Sequence, residues 1–446
     1  MGRTSAWLFV VVLGVYSLNG REIGASDTFA NMLLPIAIVR GDGPVLNRFA
    51  ERVRNQNYVE ARGEKLLSRY PILPALVALP VTWAHVAALD RIDPGWTRNP
   101  DLYDWWIRTI AKNAAAMLAA LTAVFLYRLL LHLQLGEVAV ATTLATAFGS
   151  NLWMVASQSP WQHGTAAFFL ALSLLLLAPA RLPRWRLVGG GLALAASVCA
   201  RPTSVLFALP LSLWALFSLG RRALWLLLPA AAVGVLLLSH NWLVFGNLMG
   251  GLGVIESLGH VQHGLSGSVT NEPLTSIAGT LVSPSRGLFV FSPWVLLALA
   301  LLPGFWHELA RFSMLRAALA GLLPFGLVVS CYGVWWGGWS FGPRYWTEAM
   351  PLFGALLGFA LAWAGGHSRR ALTALRVAIA VSIGLQAIGA LCYPSSWNSV
   401  PVTVDLAHER LWDWRDSEIS RCLEEGPVWP ASYAFLLAAA RGLGVD

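Results

Sequence analysis

Charge is scarce in this sequence. Only 12% of its 446 residues are Asp, Glu, Lys or Arg, about half the share of a soluble domain, and the mean hydropathy is +0.60. With 57% hydrophobic residues, the chain has too few polar side chains to cover a water-facing surface. A soluble multidomain protein is excluded, and lipid is the solvent for much of the chain. Cysteine is sparse as well. Cys199, Cys331, Cys392 and Cys422 fall in no CxxC or His–Cys spacing, so neither a zinc site nor a disulfide framework is implied. Lysine is nearly absent, so the net charge of +8 is carried by arginine. In a polytopic protein such a balance reflects cytoplasmic loops facing anionic lipid, plus any anion-binding site, rather than nucleic acid.

What is abundant is apolar sequence of spanning length. Runs occur at about 6–19, 70–89, 107–131, 139–156, 163–180, 187–200, 203–219, 223–245, 288–306, 316–336, 347–366 and 371–392. They are too long and continuous for the alternating strands of a membrane barrel, so the expected fold is an all-α, polytopic transmembrane helical bundle. The run 6–19 behind Arg3 reads as a retained signal-anchor, although Gly24-Ala25-Ser26 offers small residues near a cleavage point. Basic loops at Arg181/Arg184/Arg186, Arg221/Arg222, Arg311/Arg316 and Arg369/Arg370 are expected in the cytoplasm. That alternation puts Arg201, the loops 246–287 and 337–346, and the tail after Tyr393 outside. Counting every run as a span breaks the alternation, so one run between 70 and 156 is expected to be broken, leaving about eleven spans. The prolines Pro71, Pro74 and Pro80 make 70–89 the suspect. The first outer loop, 20–69, holds an apolar segment at 28–40, interrupted by Pro35, which reads as an interfacial helix.

Polar residues at the outer ends of these runs are the candidates for chemistry. Asp27 lies just beyond the first span, where a carboxylate meets both a lipid-borne and a water-borne reactant and suits a general base. On its own it reads first as a helix N-cap, because Ser26-Asp27-Thr28 precede an apolar run. Ser159-Pro160-Trp161-Gln162-His163-Gly164 opens the fifth run. It offers a stacking plane and hydrogen-bonding groups, or equally an aromatic belt and an interfacial histidine. Arg201, Arg286 and Arg344 occupy short polar breaks between runs. Each alone reads as an arginine snorkelling to the interface, whereas three on one face suggest an anion site, since guanidinium is always charged and donates bidentate bonds. The 22 tryptophans, with Trp335, Trp336, Trp339 and Trp346 around Arg344, serve a belt or a sugar surface.

The stretches GASDTFANMLLP (24–35), LLSRYPILPALVALP (66–80), SPWQHG (159–164), ARPTSVLFALPL (200–211), LVSPSRGLFVFSP (281–293), WWGGWSFGPRYWTEAMP (335–351) and HERLWDW (408–414) together resemble a known pattern. The chain is similar to bacterial members of the C-type (GT-C) membrane glycosyltransferase superfamily, which includes protein O-mannosyltransferases and aminoarabinose-lipid A transferases. The resemblance implies a GT-C-like bundle over residues 1–392 and a polyprenyl-phosphate-linked sugar donor. The chain departs from the family in lacking a soluble C-terminal domain, the alternation leaving only a short non-cytoplasmic tail at 393–446 that includes an apolar run at 429–440. It implies that Asp27 is the catalytic base and that Arg201, Arg286 and Arg344 hold the donor phosphate. Tyr70, Trp161, Gln162, His163, Trp339 and Tyr345 would line the cavity. Many members carry a second acid beside the first. Here Thr28 follows Asp27, so an acidic metal-binding pair is not supported; no cofactor is called for, and the role of a divalent metal is left open.

The expected activity is transfer of a sugar to a hydroxyl of a protein, lipid or glycan acceptor, with inversion. The expected location is a bacterial inner membrane, with the site facing the periplasm or exterior. A transporter or flippase of lipid-linked or anionic cargo is the alternative. It would show arginines reachable from both faces and two similar halves, and no repeat is evident. A non-catalytic envelope partner would not need an acid opposite an anion site.

Overall fold

The computed structural model describes residues 2–253, 269–393 and 396–428; the apolar run expected at 429–440 and part of the 246–287 loop lie outside them. The described chain is predominantly helical. Pro100–His132 illustrates how its boundaries arise. The Asn99 side chain accepts hydrogen bonds from the backbone N–H of Asp101 and Leu102, and Pro100 sits where no backbone donor is needed. Its 33 residues rise about 50 Å, more than the roughly 30 Å of hydrocarbon, so one end stands clear of lipid.

Six described segments are long and apolar enough to cross a membrane: Leu73–Ile92, Pro100–His132, Pro202–Phe245, Ser313–Ser330, Arg344–His367 and Arg369–Cys392. Pro293–Ala300 with Leu302–Ala310 makes a seventh if that pair, bent by 71°, is one span. These helices make the chain an integral membrane protein. The expected count of about eleven is not confirmed, and several of the expected runs are interrupted among the described residues. The run 139–156 stops as an α-helix at Phe148, followed by a π-turn at Leu152–Ala156. The run 288–306 breaks after Phe291 and bends again at Leu301. The runs 203–219 and 223–245 share one segment, interrupted at Gly220, whose φ of +54° leaves the helical region.

The suspicion against 70–89 is corrected. Leu73–Ile92 is one helix with Pro80 inside it, and the discontinuity falls at 149–161 instead. The Gly149 carbonyl accepts from Trp294 Nε1 at 2.7 Å and Ser292 Oγ at 3.0 Å. Satisfying this carbonyl from side chains rather than the next helical turn lets the chain leave the helix.

The first loop also contains more than an interfacial helix. Ser26–Val39 is buried almost continuously from Asp27 to Ala37. It packs with an antiparallel hairpin, Val59–Arg62 against Lys65–Ser68, and with the Leu73–Ile92 helix. Leu33, Ile36, Phe49, Tyr58, Leu66, Trp96 and Ile107 form one separate core there. A helix apolar on all sides is stable only when covered on all sides. At the other end of the chain, residues 396–425 fold back on the loop before Arg344. Trp335, Trp336, Trp397, Val404 and Leu411 share a small core, and Trp336 Nε1 donates to Asp405 Oδ1 at 2.8 Å.

Candidate active site

Asp27 stands in the first turn of Ser26–Val39, whose N-cap is Ala25 without any side-chain cap bond. The capping role open to it in the sequence is therefore not the one it fills. Its Oδ2 accepts a hydrogen bond from Arg344 Nη1 at 2.7 Å, across 317 residues of chain. Both side chains are about nine-tenths buried. An ion pair so withdrawn from water is screened little and is sensitive to whatever else approaches it.

Two features of sequence bring Arg344 there. Gly337, Gly338 and Gly342 take φ values of +73°, +62° and +68°, which other residues rarely adopt, and they fold the 331–343 loop back on itself. Asn151, in the break after Phe148, then donates from Nδ2 to the Pro343 carbonyl at 2.6 Å. The broken run thus fixes the residue before Arg344.

Aromatic faces enclose the cation. The Arg344 guanidinium carbon is 4.8 Å from the centre of the Trp161 ring and 5.4 Å from that of Tyr345. Arg201 approaches the same Tyr345 ring at 5.2 Å. Tyr345 therefore has a guanidinium against it from each of two distant segments, an arrangement stabilised by the ring quadrupole. Arg201 lies in extended conformation after the helix Arg184–Ala200, and its Nη1 donates to the Tyr345 carbonyl at 3.2 Å. His163 is 5.7 Å from Tyr345 and 6.3 Å from Trp161, ring to ring. Tyr70, just beyond the hairpin, lies within the field of Asp27 and Arg344. Burial first, and then the Asp27 carboxylate, push its hydroxyl well above its ordinary pKa, so it stays protonated.

Several buried polar atoms here have no hydrogen-bond partner among the described residues: Arg344 Nε, Trp161 Nε1, Gln162 Oε1 and both ring nitrogens of His163. Such atoms are uncommon in a folded interior, and their concentration on one short motif and one arginine marks a place where a polar ligand would be welcome.

Two expected residues stand apart. Arg286 is almost fully buried, and five protein oxygens surround its guanidinium: Trp336 O at 2.6 Å, Ser285 O at 2.8 Å, Gly338 O at 2.9 Å, Asn398 Oδ1 at 3.0 Å and Glu418 Oε1 at 2.6 Å. It borders a small cavity together with Arg344, Trp335 and Trp336, yet its donor groups are committed to protein. Unlike Arg201 and Arg344, the two arginines expected beside it, Arg286 joins the loop to the C-terminal arm. Trp339 likewise donates to Asp405 Oδ2 at 3.1 Å and is 42% exposed, which makes it part of that arm's attachment.

Sequence reasoning passed over two groups. Glu348 is fully buried and accepts from Arg201 Nη1 at 3.3 Å, Thr203 Oγ1 at 2.5 Å and Ser204 Oγ at 2.8 Å. An acid inside an apolar run was the available signal. Lys112, equally out of place in its run, donates to Ser157 O at 3.0 Å and Gln158 Oε1 at 2.7 Å. Asn19 also donates to Gln158 Oε1 at 2.7 Å. This knot ties the end of the first helix to the π-turn that precedes Trp161. Among the described residues no three His, Cys, Asp or Glu side chains come together as a metal cluster.

No family model and no curated protein matches this chain. Among solved structures it is similar to the crystal structure of ArnT from Cupriavidus metallidurans bound to undecaprenyl phosphate. The identity is 17%, the match covers 89% of this chain and 68% of that one, and the TM-score is 0.49. At that level residue roles do not pass from one protein to the other.

Proposed function

We propose that this protein is a membrane glycosyltransferase that moves a sugar from a polyprenyl-phosphate donor to a hydroxyl acceptor on the non-cytoplasmic face, inverting the anomeric carbon. The observation that carries the reading is the buried Asp27–Arg344 pair at 2.7 Å, with Arg201 across the Tyr345 ring. It puts one carboxylate and two guanidiniums within a single aromatic enclosure. The motif resemblance supplies the donor class, and the arginine-rich loops supply the sidedness.

In this proposal the donor phosphate binds Arg344 and Arg201 and draws Arg344 away from Asp27. The freed carboxylate takes the proton from the acceptor hydroxyl as its oxygen attacks the anomeric carbon. The bond from that carbon to the phosphate oxygen breaks, and its electron pair leaves with the polyprenyl phosphate. The two arginines stabilise the charge that gathers there. Attack opposite the phosphate inverts the centre. A small slot lined by Pro74, Val77, Ala78, Leu118, Ser159 and Thr165 opens beside Trp161.

The broken helices at 149–161 and around Leu301 also suit a transporter or flippase of lipid-linked cargo, where interrupted spans line the path. The two readings part at Asp27. In proteoliposomes given labelled polyprenyl-phosphate hexoses and pentoses, Asp27→Asn should lower transfer by about 10³-fold while leaving the protein monodisperse. Near-normal transfer in that variant removes Asp27 as the base. Movement of label across the bilayer without transfer establishes the transporter instead.

A further inference from the structure

The two guanidiniums of the site have carboxylate partners of different kinds. Asp27 meets Arg344 through one oxygen. Glu348 is held by both: Oε1 accepts from Arg201 and Thr203, and Oε2 accepts from Ser204. All three donors come from the turn Arg201-Pro202-Thr203-Ser204. In that turn Pro202 starts a 3-10 helix, and the Arg201 backbone N–H still closes on Ser197 O at 3.0 Å. Glu348 itself lies four residues after Arg344, on the segment that runs from the 3-10 turn Arg344–Ala349 into the following helix. One carboxylate thus ties the turn bearing one arginine to the segment bearing the other.

We propose that Glu348 is a positioning residue that sets the distance between Arg201 and Arg344, and so shapes the phosphate site. The proposal rests on the donor reading above. Arg201 is 7% exposed, and among the described residues its only hydrogen bonds run from Nη1, to the Tyr345 carbonyl and to Glu348. Its Nε and Nη2 make no hydrogen bond among the described residues. A long, flexible arginine held at one nitrogen by a fixed carboxylate loses little further freedom when it meets a phosphate, and preorganisation of that kind raises affinity. Glu348 also offsets the second positive charge, which lets two guanidiniums sit on the same tyrosine without driving each other apart. The acid never touches the ligand. It acts through Arg201.

Farnesyl phosphate, a short and dispersible polyprenyl phosphate, is the probe. Its binding to the detergent-purified full chain is measured by thermophoresis. Glu348→Gln should weaken binding about tenfold, and Thr203→Val, which removes one donor to the carboxylate, about threefold. In an Arg201→Ala background, Glu348→Gln should cause no further loss, because the residue it positions is gone. Wild-type affinity in Glu348→Gln, or an equal additional loss in the Arg201→Ala background, overturns the assignment. If Glu348→Gln does not purify as a monodisperse protein, Thr203→Val decides, with unchanged affinity counting against the proposal. Failure of the unaltered protein to bind farnesyl phosphate sinks the donor reading itself, and is thereby told apart from a failure of Glu348 alone.

Discussion

Arg286 and Arg344 look alike in the sequence and differ in the folded chain. Each sits in a short polar break rich in serine, glycine and proline, with an apolar run close behind. Around Arg286 five protein oxygens close the guanidinium, and the C-terminal arm covers it. Around Arg344 there are two aromatic faces, one aspartate oxygen and an Nε without a hydrogen-bond partner among the described residues. The number of hydrogen-bond donors already committed separates the two roles. A saturated arginine fastens structure, and on the proposed reading the half-satisfied one binds the donor phosphate.

That contrast can be broken by experiment. The largest effect expected is Arg286→Ala, which strands the Glu418 carboxylate and three backbone carbonyls in the interior. Loss of a buried partner of this kind costs about 3–5 kcal/mol. Folding and activity should therefore fall together, seen as a lowered unfolding temperature and a protease-sensitive C-terminal arm. Arg344→Lys should do the reverse. It keeps the charge and loses the planar fork, so transfer should drop about 10²-fold with little change in unfolding temperature. If Arg344→Lys destabilises as strongly as Arg286→Ala, the distinction between the two arginines collapses.

A smaller effect sharpens the same contrast through pH. Burial pushes the Glu418 carboxyl up to about 7, against the opposing pull of Arg286. The folded chain then holds that proton more tightly than the unfolded one, whose carboxyl titrates near its ordinary value of 4.5. The associated stability is fully present below about pH 4.5 and is lost as pH rises through about 7. Tryptophan-detected melting should show a decline of about 2–4 °C over that interval. Glu418→Gln should flatten it. An unchanged slope in that variant means another group is responsible.

How far the sequence disclosed this arrangement depended on the kind of signal. Asp27, Arg201 and Arg344 were visible because charge between apolar runs is costly and therefore conspicuous. Their convergence was not, since it is made by contacts across 144 to 317 residues. Arg286 could not be told from its neighbours, because the oxygens that close it come from residues 336, 338, 398 and 418. Glu348 was hidden by being counted within a span. The helical class followed from hydropathy alone, but the number of spans did not. Apolar side chains continue straight across Leu301, where the backbone turns, so composition could not register that break, whereas Gly149-Ser150-Asn151 is a short polar interruption that was counted within a run. Proline misled in the other direction, since Pro80 sits inside a continuous helix where neighbouring helices tolerate its missing donor.

The most direct measurement is a structure of the protein with a bound polyprenyl phosphate at a resolution that places the phosphorus. The predicted result is a phosphate bonded to Arg344 and Arg201, an Asp27 carboxylate released from Arg344, and Arg286 still joined to Glu418. A phosphate bound at Arg286, or one bound elsewhere while Asp27 and Arg344 stay paired, would contradict the account.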